Sequence, residues 1–139
     1  MKHLLFIILS TILLLNNNNL YLEIVIPNIK QDGIIYIAIY DNADDYSSGD
    51  ESQDIMAYNI IEPVFRGFYS KKISLKKGVY AIKVLVDNND NGKIDVNFFG
   101  IPKEQFGFSN NVLGILGVPK FEKASFKLNS NKKIEIKLR

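Results

Sequence analysis

Residues 78–95 read Gly-Val-Tyr-Ala-Ile-Lys-Val-Leu-Val-Asp-Asn-Asn-Asp-Asn-Gly-Lys-Ile-Asp. In an extended chain the first ten put Tyr80, Ile82, Val84 and Val86 on one side and Lys83 on the other. Side chains two apart share a face only in a strand, so this run predicts β structure. From Asp87 onward Asp and Asn take over, and the strand stops at a polar turn.

The same period recurs on both sides of that run. Leu22, Ile24 and Ile26 alternate with Glu23 and Val25, and Tyr69–Leu75 sets Ile73 and Leu75 against Lys72 and Ser74. Gly33–Asp41 is β-branched and aromatic almost throughout, which predicts a central strand buried on both faces. Lys76-Lys77-Gly78 reads as a turn. Ala124, Phe126 and Leu128 alternate with Ser125 and Lys127; after an Asn129–Asn131 turn, Ile134, Ile136 and Leu138 alternate with Lys133, Glu135 and Lys137. These are six strands, with a seventh expected at Ile94–Phe98. Short strands separated by turn signals predict an all-β sandwich, with Leu22–Ile26 and Ile134–Leu138 at or near sheet edges. Two stretches fall outside the pattern. Asn42–Glu62 is acidic and reads as an exposed loop with a helical turn at Gln53–Asn59. Phe98–Phe121 is rich in Gly, Pro, Asn and aromatics and reads as too irregular for a ladder.

The chain has 139 residues, a net charge of +2, no Cys and a single His at position 3. Lys2 precedes the apolar run Leu4–Leu15, which is short for a membrane span and has the form of a secretory signal peptide. No small-residue cleavage site follows Leu15, so an uncleaved anchor is the other reading, and membrane contact is expected only in that case. The expected organisation is a signal helix within residues 1–19 and one sandwich domain over 20–139. Removing 1–19 takes away one Lys and no acid, so the net charge falls to +1 and gives no argument for nucleic acid. It also removes the only His. A chain with neither His nor Cys excludes the Ser-His-Asp and Cys-His nucleophiles and the usual zinc, copper, haem and iron–sulfur sites. Oxygen ligands remain, and they suit hard cations.

Asp87, Asn89 and Asn91 followed by Gly92 match the first half of an EF-hand-type calcium loop. In a tightly curling loop alternate residues point inward, Gly92 permits the turn, Lys93 offers its carbonyl, and Asp95 takes the ninth position. Phe98 stands where the bidentate Glu belongs, and the flanks read as strands, so this is no EF-hand. A carboxylate from elsewhere would have to complete the shell, with Asp90, Asp95 and Glu104 as candidates. The competing reading is a plain Asn91-Gly92 hairpin turn. Calcium is the only cofactor expected.

Four stretches together resemble one family: Lys77–Ala81, Asp87–Asp95, Asn97–Asn111 and Pro119–Phe126. The segment Gly100-Ile-Pro-Lys-Glu-Gln-Phe-Gly-Phe-Ser-Asn110 carries the resemblance most specifically. Over about residues 20–139 the chain resembles the bacterial domain of unknown function 2141 (DUF2141) family. It departs where the family's turn follows Leu-Pro; here Leu75 is followed by Lys76. The resemblance implies an exported domain of the bacterial envelope, periplasmic or extracellular, with an immunoglobulin- or transthyretin-like sandwich. It implies no reaction.

The expected function is therefore a non-catalytic binding or structural module with a calcium loop at Asp87, Asn89, Asn91, Lys93 and Asp95, and an envelope protein or glycan as partner. Two alternatives stand beside it. The first is a sugar- or peptide-binding module using the aromatic loop 99–111, with Phe99, Phe106 and Phe108 for stacking and Glu104 and Asn110 as polar contacts. The second is a small hydrolase using a carboxylate pair such as Asp95 and Glu104.

Overall fold

The computed structural model describes residues 19–49, 52–114 and 117–139; the apolar run at Leu4–Leu15 lies outside them. Eight strands form in chain order: β1 (Asn19–Ile29), β2 (Gly33–Tyr40), β3 (Tyr58–Val64), β4 (Gly67–Lys76), β5 (Gly78–Asp87), β6 (Gln105–Phe108), β7 (Phe126–Leu128) and β8 (Lys132–Glu135). Two short helices accompany them, α1 (Ala43–Ser47) and α2 (Phe121–Ala124).

The strands make two sheets. One has the order β4-β1-β8; the other runs β3-β2-β5-β6, with β7 also paired to β5. The chain changes sheet at Lys30–Asp32, at Phe65–Arg66, at Lys77 and again between β7 and β8, so β1 and β2, β3 and β4, and β4 and β5 lie in opposite sheets. The inward residues of both sheets fill that core: Leu22, Ile24 and Ile26 from β1, Ile35, Ile37 and Ile39 from β2, and Tyr80, Ile82, Val84 and Val86 from β5. The expected all-β sandwich is what the chain forms.

Some elements differ from expectation. β1 is the middle strand of its sheet, flanked by β4 and β8, so Val25 is buried as well as Leu22, Ile24 and Ile26. β2 is central, as expected, yet buried fully on one face only; Ile34, Tyr36 and Ala38 stay half-exposed. Ile94–Phe98 forms no strand, only an isolated bridge from Val96 to Pro102. The acidic Asn42–Glu62 stretch contains α1, a 3₁₀ turn at Gln53–Ile55 and most of β3. Asn42 caps α1 by accepting the Asp45 N–H at 2.9 Å, and Tyr46 buries against Tyr40 and Phe121. Lys83 closes this end: its Nζ lies 4.8 Å from the Tyr40 ring centre and 4.5 Å from that of Tyr46. Burial pushes the Tyr46 hydroxyl up to about 12.

The C-terminus joins the two sheets. β8 runs parallel to β1, and the Ile136 N–H continues that ladder to the Val25 carbonyl at 2.9 Å. Arg139 then exchanges both backbone hydrogen bonds with Phe106 of β6, at 2.9 and 3.2 Å. Between these points two side-chain amides stand in for a neighbouring strand. Asn111 accepts the Lys137 N–H and donates to the Glu135 carbonyl, while Asn28 accepts from and donates to Leu138. Ile136 and Leu138 are thereby held in the core.

Candidate functional site

Antiparallel register places one set of loops together. Val64 of β3 pairs with Gly33, Ile34 with Asp87, and Val86 with Gln105, while Ile29 of β1 pairs with Gly67. The connections 30–32, 65–67 and 88–104 therefore emerge at the same end of the sandwich. The long one holds the candidate site.

Asp87 is the last residue of β5 and is wholly buried (0% exposed). Its Oδ1 accepts the N–H groups of Asn89 (3.2 Å) and Asn91 (3.3 Å), and its Oδ2 that of Gly92 (2.7 Å). Gly92, at φ 73°, supplies the left-handed backbone that turns its N–H back toward the strand. Burial pushes the Asp87 carboxyl up, but the N–H groups of Gly92, Asn91, Asn89 and Asp90 outweigh it and hold it below the ordinary carboxylate range. Gly33 lies tight against this corner. A Cβ there would sit 2.4 Å from the Asp87 carbonyl oxygen, so no larger residue fits beside the strand end.

Asp95 closes the loop. Its two oxygens accept the side-chain amides of Asn89 (2.6 Å) and Asn91 (2.9 Å). The Lys93 N–H donates to Asn91 Oδ1 at 2.9 Å. Glu104, only 6% exposed, lies beneath. Its Oε1 accepts the Asn88 N–H at 2.8 Å and its Oε2 the Asp95 N–H at 3.0 Å. One carboxylate thus fastens both ends of the loop. Glu104, a candidate to complete a metal shell from outside, clamps the backbone at both ends of the loop. Asp90 is exposed at φ 56°.

The structure thus brings together Asp87, Asn89, Asn91, Lys93, Asp95 and Glu104. The donor set fits a calcium ion in kind, since it holds carboxylates, amide oxygens and backbone carbonyls. Among the described residues no three His, Cys, Asp or Glu side chains converge on one point, so the negative charge available to a cation is low. The amide nitrogens of Asn89 and Asn91 now face Asp95; rotating each amide by half a turn puts its oxygen there instead.

The aromatic residues of 99–111 are not gathered into one surface. Phe106 and Phe108 lie on β6 with their rings edge to face at 5.9 Å, and Phe108 is buried. Asn110 sits past β6, where its amide donates to the carbonyls of Lys123 (3.0 Å) and Ser125 (2.7 Å). Phe99 stands apart, exposed on a turn that sequence reasoning did not single out. Asn97 organises that turn: its Oδ1 accepts the N–H groups of Phe99 (2.9 Å) and Ile101 (3.0 Å), and its backbone pairs with Ile101 and Gly100. The signal for it was present, since Asn ahead of Gly is a turn former. A shallow groove lies on the edge strand β3, lined by Tyr58, Asn59, Glu62 and Lys71, and no loop residue takes part in it.

The model of one protein family, described as an uncharacterized protein conserved in bacteria (DUF2141), matches residues 24–137. The chain belongs to the DUF2141 family. The match takes in every strand of this DUF2141 domain except the first few residues of β1, and the whole of the Asp87–Glu104 loop. Comparison with curated proteins and with solved structures finds no match. Among the described residues of the DUF2141 chain no helix is long and apolar enough to cross a membrane.

Proposed function

We propose that this DUF2141 protein is an exported, non-catalytic binding or structural module whose 87–95 loop takes up a calcium ion. One observation carries the metal reading. Asp87 and Glu104 are buried, Asp95 is half-buried, and among the described residues none of the three pairs with a Lys or Arg side chain. Buried charges in proteins are paired or bind metals, and only backbone and amide N–H groups answer these. Calcium beside Asp87 and Asp95, with the Asn89 and Asn91 oxygens and the Lys93 carbonyl, supplies the missing positive charge. The low carboxylate count fits weak affinity of the kind useful outside the cell. The apolar run Leu4–Leu15 supports export to the bacterial envelope, and the absence of Cys means that no disulfide holds the domain there.

The non-catalytic reading has a geometric support. Each oxygen of the Asp95 and Glu104 carboxylates already accepts a hydrogen bond from the loop itself. These bonds give both carboxylates a structural role within the loop.

Thermal melts in millimolar calcium, in magnesium and in chelator test the metal reading. Calcium at a hundredfold excess over its dissociation constant stabilises the native state by about 2.7 kcal/mol. Magnesium does much less, because it needs a smaller octahedral cage. Asp87→Ala removes the calcium dependence. A wild-type melting temperature equal in calcium and chelator refutes the proposal and leaves the loop as a hydrogen-bonded turn.

A further inference from the structure

Of the eight Phe after the apolar N-terminal run, four are exposed: Phe65 (74%), Phe68 (66%), Phe98 (97%) and Phe99 (82%). All four sit at the end of the sandwich that holds the 88–104 loop. Phe65 and Phe68 flank the β3–β4 connection, and Phe98 and Phe99 form the tip of the Asn97 turn, rings edge to face at 5.5 Å. Ile94, Val96 and Ile101 on the same turn are exposed too. The opposite end closes differently, with Tyr46, Phe121 and Ala124 packed inward under α1 and α2.

From these loops we infer that the aromatic end docks on a lipid bilayer, with Phe98 and Phe99 entering the acyl boundary. Three features select a bilayer over a protein partner. The Phe98–Phe99 pair is a projecting tip, and a tip needs a matching hole in a protein but none in a deformable apolar phase. The turn is already ordered by four hydrogen bonds around Asn97, so insertion orders little chain. The exposed charges on the three loops are Lys30, Arg66, Lys93 and Lys103 against Asp32 and Asp90. Basic side chains at the base of an apolar tip meet anionic headgroups while the rings go deeper. The remaining acids, Asp87, Asp95 and Glu104, are turned into the loop. This surface does not depend on the N-terminal apolar run: β1 starts at the other end of the sandwich, where Asn19 pairs with Lys76. It also stands apart from the calcium reading, since neither Phe belongs to the metal shell.

The test is co-sedimentation of the mature chain with vesicles of phosphatidylethanolamine and phosphatidylglycerol, in calcium and in chelator. Binding in either buffer is expected, and the double variant Phe98→Ser/Phe99→Ser lowers the partition coefficient by at least about thirtyfold, from the area of two Phe rings. Tyr58→Ser/Val79→Ser, at the starts of β3 and β5 at the opposite end, leaves it unchanged. Because both Phe rings are exposed, the double variant keeps the wild-type melting temperature. The chain has no Trp, so Phe99→Trp gives a single indole whose emission shifts to the blue on vesicles. No sedimentation in either buffer overturns the inference, as does equal binding by the double variant. Self-association that the double variant abolishes, without vesicle binding, assigns the surface to a second copy of the chain and overturns it too.

Discussion

Glu104→Gln isolates the clamp under the loop. The substitution keeps the size of a side chain that is only 6% exposed. The Gln oxygen still takes one N–H, from Asn88 or Asp95, but the other N–H then faces an amide NH₂, donor against donor. One hydrogen bond to a charged acceptor is lost, about 1.5–3 kcal/mol, and the survivor drops to neutral strength. The expected cost is about 3 kcal/mol, which lowers the melting temperature of a domain this size by about 12 °C. Hydrogen exchange reads the cause directly, because the amides of Asn88 and Asp95 are protected in the wild type and speed up in the variant. The strand amides of β2 and β5 serve as the reference for global unfolding. A fall of less than 2 °C with both loop amides still protected refutes the clamp.

Two further results follow from the same hydrogen bonds. The Asp87 carboxyl titrates lower in the folded than in the unfolded chain, so its contribution is fully present above the unfolded value of about 3.9 and disappears as pH falls through the folded one. Asp87→Asn therefore costs about 2 kcal/mol at neutral pH and flattens the acid limb of stability below about pH 4; parallel acid limbs in urea titrations contradict this. Asn28→Ala removes both bonds to Leu138 and costs about 2 kcal/mol, with faster exchange of the Leu138 amide. An unchanged urea midpoint shows that β8 holds the terminus without it.

The strands with strict alternation were legible because their burial follows period two: Tyr80, Ile82, Val84 and Val86 all face the core. β3 escaped notice because Pro63 and the adjacent Ile60-Ile61 pair break the alternation, and an edge strand tolerates both. β6 was hidden by Gly107, which reads as a breaker. It is Gly because a Cβ would meet Ile136 and Leu138 side chains at 3.0 Å, where the C-terminal segment crosses over it. Ile94–Phe98 was expected as a strand, yet it forms none, and Ile94, Val96 and Phe98 are exposed. A local rule that fails in this way marks the surface proposed to meet a bilayer. In the candidate site the Asp and Asn spacing was readable, and so was the interest of Glu104. The clamp was not, because its partners are backbone N–H groups common to every residue. The Asn28 and Asn111 stitches were invisible for the same reason.

The parallel pairing of β1 with β8 sets how this chain reaches its native state. Leu22 and Lys132 are neighbours in space but stand at opposite ends of the sequence, as do Asn28 and Leu138, 110 residues apart. Until the last turn of synthesis is complete, β1 has β4 on one side and nothing on the other. Nearly the whole chain must be closed into a loop before the second ladder forms, and such topologies fold on the millisecond-to-second scale rather than in microseconds. A polypeptide still being made cannot lock its first strand from both sides. The same arrangement makes residues 136–139 matter to the whole fold: a chain cut before Ile136 leaves the β1 ladder short, forfeits the Phe106 exchange that joins the sheets, and opens the core to proteolysis.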